Sequence, residues 1–167
     1  MKRVLTIALL AALCCSTVSA ADWGLKSGAP KLQSAGPLAF GPDDVLFVGD
    51  TKSATVFAIA TGNSEGDASQ AKINLADIGA LVSDVVGAEA TINDLVTNPS
   101  TGNVFASVTA GGKPAIIQIN GAGKISKLDL SDVKFSNATL EDAPEDKVVR
   151  RGRRSSNPRE QAITDRK

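Results

Sequence analysis

Residues 38–51 read LAFGPDDVLFVGDT. Apolar and polar residues alternate up to Phe40, a Gly41-Pro42-Asp43-Asp44 stretch interrupts them, and a β-branched and aromatic run follows at once. That order predicts two short strands joined by a tight turn, since Pro fixes φ and Asp tolerates the left-handed region. The run TVFAI (55–59) continues the pattern as a third strand. After the polar loop TGNSEGDAS (61–69), AKINL (71–75) is expected as a fourth.

The second half repeats the first. LAFGP (38–42) aligns with LVTNP (95–99) at an offset of 57, and LFVGD with VFASV at 58, which places Phe47 over Phe105. VFAI aligns with IIQI at 60, and INLADI (73–78) with LDLSDV (128–133) at 55. Drifting offsets are what loop insertions produce. The period slightly exceeds the roughly 40–50 residues of common propeller blades. The surplus lies in residues 76–90, where Ile78, Leu81, Val82, Val85 and Val86 fall at helical spacing. Asp77 is placed to cap that helix and Gly87 to end it. The fold class expected is therefore all-β: two four-stranded antiparallel blades of propeller type, an inserted helix at about 77–87, and an incomplete ring. A chance match of two unrelated meanders is the rival, disfavoured by four matched segments in one order.

FGPDDVLFVGDT resembles the NHL-type repeat, in which an F-x-P-D-G turn joins two strands; Asp44 stands where that pattern has Gly. INDLVTNPSTGNVFAS (92–107) is similar to a blade start of six-bladed propellers of the gluconolactonase and strictosidine-synthase kind. The resemblance spans about residues 36–133. In the lactonase branch it implies that an Asn at this position helps hold a divalent cation, which makes Asn93 a candidate metal ligand and Asp94 its neighbour. Ca²⁺, which takes six to eight oxygen ligands, would suit such a site. The first repeat has Gly36-Pro37 at the matching position and offers no side-chain oxygen. Read from the residues alone, Asn93 and Asp94 equally fit a strand or turn cap made by side-chain to backbone hydrogen bonds.

Composition narrows the chemistry. The chain has no histidine and no tyrosine, and its two cysteines, Cys14 and Cys15, lie near the N-terminus. A Ser-His-Asp triad and a zinc site built on His or Cys are thereby excluded. Lys2 and Arg3, the apolar run Val4 to Leu13 and the small residues Val18-Ser19-Ala20 form a secretory leader with cleavage expected near Ala20. A retained anchor fits worse, because the run is far short of the roughly 20 residues that span a bilayer. Lipidation at Cys14 or Cys15 fits worse too, since Leu13 precedes Cys14 where a small residue is usual. The protein is thus expected outside the cytoplasm, periplasmic or extracellular, with no cysteine in its mature part.

The full division expected is a leader (1–20), a lead-in (21–36), a first blade (37–76), an inter-blade helix and loop (77–90), a second blade (91–135), a polar then basic loop (136–161) and the start of a third blade (162–167). That last segment, QAITDRK (161–167), echoes ATINDL (90–95). Two blades leave two apolar faces uncovered, so a fragment of a propeller, or a partner over the open faces, is expected.

Charge is segregated. Residues 21–146 carry 8 basic and 16 acidic side chains, net −8, and residues 147–167 carry 8 basic and 2 acidic, net +6. The basic stretch KVVRRGRRSSNPREQ (147–161) is read first as a solvated loop whose arginines pair with the acidic body. A protease-sensitive dibasic site and contact with an anionic surface are the other readings. Nucleic acid is set aside, because no aromatic residue follows Ser136 and base stacking has no platform. The function expected is an exported binding or scaffold protein for a small molecule or protein, without catalysis and without an integral membrane segment. The alternative is a truncated lactonase-like hydrolase using a central cation.

Overall fold

The computed structural model describes residues 23–163. The expected leader, residues 21–22, and residues 164–167, which hold most of the expected third-blade start, lie outside the described residues. The fold is mostly β, with antiparallel sheets of five, four and two strands and one short helix.

The opening stretch folds as its pattern predicts. Strand β2 (Leu38–Phe40) and strand β3 (Val45–Asp50) pair in the register Leu38↔Val48 and Phe40↔Leu46. A 3₁₀ turn at Pro42–Asp44 joins them, with Asp43 and Asp44 both left-handed at φ 54° and 58°. Glycine would adopt that conformation at lower cost, yet both aspartates have partners. Asp43 accepts from Trp23 Nε1 at 3.0 Å on the surface. Asp44 accepts from Nδ2 of fully buried Asn98 at 2.9 Å. The departure from the glycine of the NHL-type pattern thus serves a contact that only a side chain can make.

Strand β4 (Thr55–Ala60) follows, but the expected fourth strand at 71–75 does not form. Its place beside β4 is taken by β9 (Val133–Thr139), with β1 (Lys26–Gly28) beyond it, so the first sheet runs β1-β9-β4-β3-β2. The segment 71–75 instead lies against the second sheet, where Ile73 and Leu75 pack on its core and the Lys72 N–H donates to Gly121 O. The second sheet runs β5-β6-β7-β8, from β5 (Ala90–Thr97), β6 (Val104–Ala110), β7 (Lys113–Ile119) and β8 (Ile125–Lys127). Its fourth strand is β8 at 125–127, just before the segment 128–133 that aligns with INLADI. Leu128 still donates its N–H to Ile116 O of β7 at 2.8 Å, but its side chain, with Leu130 and Val133, packs on the core shared by the two sheets. The chain exchanges sheets at this point, so β9 supplies the first sheet's fourth strand and β1, in the expected lead-in, adds a fifth.

The sheets stack face to face. Leu46, Val48, Phe57 and Ile59 of the first meet Phe105 and Ile116 of the second, with Phe40 and Phe105 edge to face at 5.2 Å between ring centroids. The period of two then sends Ala106, Val108, Ile117 and Ile119 to the opposite face, where they bury against helix α1 (Ile78–Val86). Each fully buried apolar side chain of this size contributes about 1.5–3 kcal/mol. The helix has the expected ends: Asp77 accepts from the Ala80 N–H at 3.0 Å, and Gly87 closes it at φ 72°. Of its five predicted apolar positions, Ile78, Val82 and Val86 face the core, while Leu81 and Val85 stay exposed. One of the two open faces expected of a two-blade chain is therefore covered from within.

The basic stretch is not a plain loop. Strands β10 (Val149–Arg151) and β11 (Arg154–Ser156) form a two-stranded ribbon around Gly152 at φ 64°. Charge dominates the sequence there, and the short β-branched Val148-Val149 signal is easily passed over.

Asp43→Gly and Asp44→Gly relieve similar backbone strain with opposite expected results. Asp43→Gly is neutral or stabilising by up to ~1 kcal/mol. Asp44→Gly removes a charge-assisted bond from a buried amide and is destabilising by about 1–2 kcal/mol. Urea unfolding of the two variants checks the contrast.

Candidate functional site

The two residues singled out in the sequence sit where the sheets meet. A β-bulge between Ile92 and Asp94 puts Asn93 out of register and re-aims its side chain. Asn93 Nδ2 donates to Ala35 O at 2.8 Å and to Thr109 Oγ1 at 3.0 Å. Asp94 uses both oxygens: Oδ2 accepts from the Leu38 N–H and Oδ1 from the Leu95 N–H, each at 2.8 Å. Ser107, directly across from Asp94 and fully buried, donates from Oγ to Gly36 O at 2.6 Å. Sequence reasoning missed Ser107; its only signal was a polar residue on the inward face of an otherwise apolar strand.

These contacts converge on one strap of backbone, residues 33–38. From the other side the strap is held by Asp50 at the end of β3. The Asp50 carboxylate is fully buried and accepts from the Gln33 N–H (2.7 Å), the Ser34 N–H (3.0 Å), the Ser34 Oγ (2.6 Å) and the Ser53 N–H (3.1 Å). Burial alone would push this acid up, but bonds from Ser34, Gln33 and Ser53 outweigh it and hold it below the ordinary aspartate range. Between these anchors Gly36 N donates to Gly49 O and Gly49 N to Pro37 O, each at 2.8 Å. A Cβ on Gly36 would come within 3.1 Å of Gly49 O, so a side chain there would crowd this approach.

A second polar constellation lies at the turn connecting β5 and β6. Asn98 Oδ1 accepts from the Ser100 and Thr101 N–H groups, and Thr101 Oγ1 and Asn103 Nδ2 both donate to Asn63 Oδ1. Asn103 Oδ1 takes the Gly121 N–H at 2.8 Å. The loop after β4 is thereby fastened to two turns of the second sheet. Outside this network an open groove of about 420 Å³ is lined by Asn63, Glu65, Asn103, Gln118 and Asn120 among others. Asn63 Oδ1, both ends of Asn103 and Asn120 Oδ1 already hold neighbouring groups, so the groups open to a ligand bearing hydroxyl or amide groups are the Gln118 amide, Asn63 Nδ2 and Asn120 Nδ2. They offer no acid and base pair for proton transfer. The carboxylates with displaced titration, Asp50, Asp67 and Asp129, are all held down by hydrogen bonds, the last two by Ser69 and Ser131. A general acid needs the opposite displacement.

Among the described residues, no group of three or more His, Cys, Asp or Glu side chains is placed to hold a metal ion. No helix among them is long and apolar enough to cross a membrane. The chain matches no known protein family, no curated protein and no solved structure.

Asp50 generates a pH prediction. Its folded-state pKa lies below the ordinary aspartate value, so its stabilisation is full above the unfolded value of about 3.9 and is lost as pH falls through the folded pKa. Asp50→Asn should cost about 1–3 kcal/mol at pH 7. The deficit relative to the native chain should shrink as both are acidified below about pH 4, read from denaturant unfolding at a series of pH values.

Proposed function

We propose that the chain is an exported binding or scaffold module of propeller type, two blade-like sheets stacked face to face, without chemistry of its own. The observation that supports this reading most is the use made of Asn93 and Asp94. The resemblance to lactonase-type propellers implies cation binding for this pair, yet both Asp94 oxygens accept backbone N–H groups, and Asn93 is tethered through Nδ2 to Ala35 O and Thr109 Oγ1, which leaves only its Oδ1 for a cation. A carboxylate whose two oxygens each accept an N–H has its best lone pairs occupied. Such a residue acts as a clasp between sheets. The amide-lined groove beside Asn103 supports the binding half of the proposal, since it offers hydrogen-bonding recognition without titrating groups suited to catalysis. Export rests on the leader-like sequence of residues 1–20.

Thermal unfolding in Ca²⁺ and in chelator separates this reading from a cation-dependent hydrolase. At about 5 mM Ca²⁺, above the 10⁻⁴–10⁻³ M range of extracellular calcium modules, the midpoint should stay within about 1 °C of that in chelator, because a ligand that does not bind the folded state does not stabilise it. Asp94→Ala should lose about 1–3 kcal/mol equally in both buffers, through the unpaired Leu38 N–H. A Ca²⁺-dependent rise of several degrees that Asp94→Ala abolishes would overturn the scaffold reading in favour of the lactonase-like one.

A further inference from the structure

The segment from Leu140 to Arg159 carries both signs of charge in separate blocks. Glu141, Asp142, Glu145 and Asp146 come first, then Lys147, Arg150, Arg153, Arg154 and Arg159. The fold holds the blocks side by side: Asn157 Nδ2 donates to Asp146 Oδ1 at 2.6 Å, and the Lys147 N–H donates to Glu145 O at 2.9 Å. Despite this, no ion pair within 4.0 Å joins the basic block to any carboxylate among the described residues. The expected pairing of these arginines with the acidic body is thus not formed. Arg159 also holds a buried Nε with no acceptor. Exposed apolar side chains flank these charges: Leu140 at 42% just before the acidic block, and Val148 at 61% and Val149 at 39% just after the junction of the two blocks.

We propose that this face is a self-complementary docking surface for a second copy of the chain. An acidic block beside a basic block is complementary to itself after a two-fold rotation: the acidic loop of one copy meets the basic ribbon of the other, and the reverse contact forms at the same time. Val148 and Val149, beside the junction of the blocks, then lie near the axis and are removed from water by their counterparts. An apolar centre with a charged rim is the usual anatomy of a specific interface. The segment is about as long as one side of a standard interface, which takes roughly 20–30 residues. An anionic lipid surface fits less well, because Glu141–Asp146 and the net −8 of residues 21–146 would be brought against like charge. A two-stranded ribbon is marginally stable alone, and a partner would supply the packing it lacks.

Sedimentation velocity on the full chain tests the surface. A dimer is expected at about 0.05 M salt, with at least a tenfold weaker association at about 0.5 M, where the Debye length has fallen to a few ångströms. The triple variant R150E/R153E/R154E and the quadruple variant E141K/D142K/E145K/D146K should each be monomeric. Mixed in equal amounts they should form a heterodimer, because each presents the charge the other lacks. All these positions are exposed, and an unchanged thermal midpoint for each variant separates lost association from lost folding. A native chain that stays monomeric at low salt overturns the proposal, as does failure of the two folded variants to pair. Salt-sensitive binding of a monomer to phosphatidylglycerol vesicles, absent with phosphatidylcholine, would assign the surface to lipid instead.

Discussion

Six consecutive residues, Gln33 to Leu38, lace the two sheets together beside their shared apolar core, and they do so almost entirely through backbone polar groups. A buried N–H or C=O left without a partner costs as much as a lost hydrogen bond. Along this strap the N–H groups of Gln33, Ser34, Gly36 and Leu38 and the carbonyls of Ala35, Gly36 and Pro37 are all satisfied. Where the strap meets the first sheet the partners are the backbone of Gly49 and the Asp50 carboxylate. Where it meets the second they are the side chains of Asn93, Asp94 and Ser107. A ladder of main-chain bonds tolerates substitution because every residue brings the same groups. The seam with the second sheet depends on three particular side chains, and removing any one leaves a backbone group stranded in a poorly solvated place.

That arrangement explains which parts of the molecule were legible in the sequence. The β2–β3 turn, β4, the inserted helix with Asp77 and Gly87 at its ends, and β5 to β7 follow from local periods and turn residues. Exchange of strands between sheets does not. Nothing in VKFSNAT (133–139) specifies pairing with Thr55–Ile59, some eighty residues earlier, in preference to the strand just before it. AKINL alternates as a strand would, but Ile73 and Leu75 serve equally well as two pegs laid across a neighbouring sheet. Periodicity reports which side of a segment is apolar, and says nothing of whether its backbone finds a ladder. The Asn93-Asp94 pair was conspicuous for the same reason that its role was not. Two adjacent polar residues within a strand suit either a cation or a clasp, and the groups that decide between them lie in a lead-in with little pattern of its own.

The helix and the network around Asn98 extend the same logic of one-sided closure. The second sheet is enclosed, with the first sheet on one face and helix α1 with Ile73 and Leu75 on the other. The first sheet is enclosed on its inner face only. Its outer face shows Phe47 at 38% exposure between two shallow apolar grooves, one edged by Trp23 and Leu25 and the other by Ile163. The described ends of the chain therefore return to the same uncovered face. In stacked-sheet architectures each unit buries its apolar side on its neighbour, so the two ends of a stack need a cap. Here α1 caps one end at the expense of leaving Leu81, Val85 and Leu95 in water. Because the helix already occupies the outer side of the second sheet, a further sheet could stack only against the Phe47 side without first displacing α1.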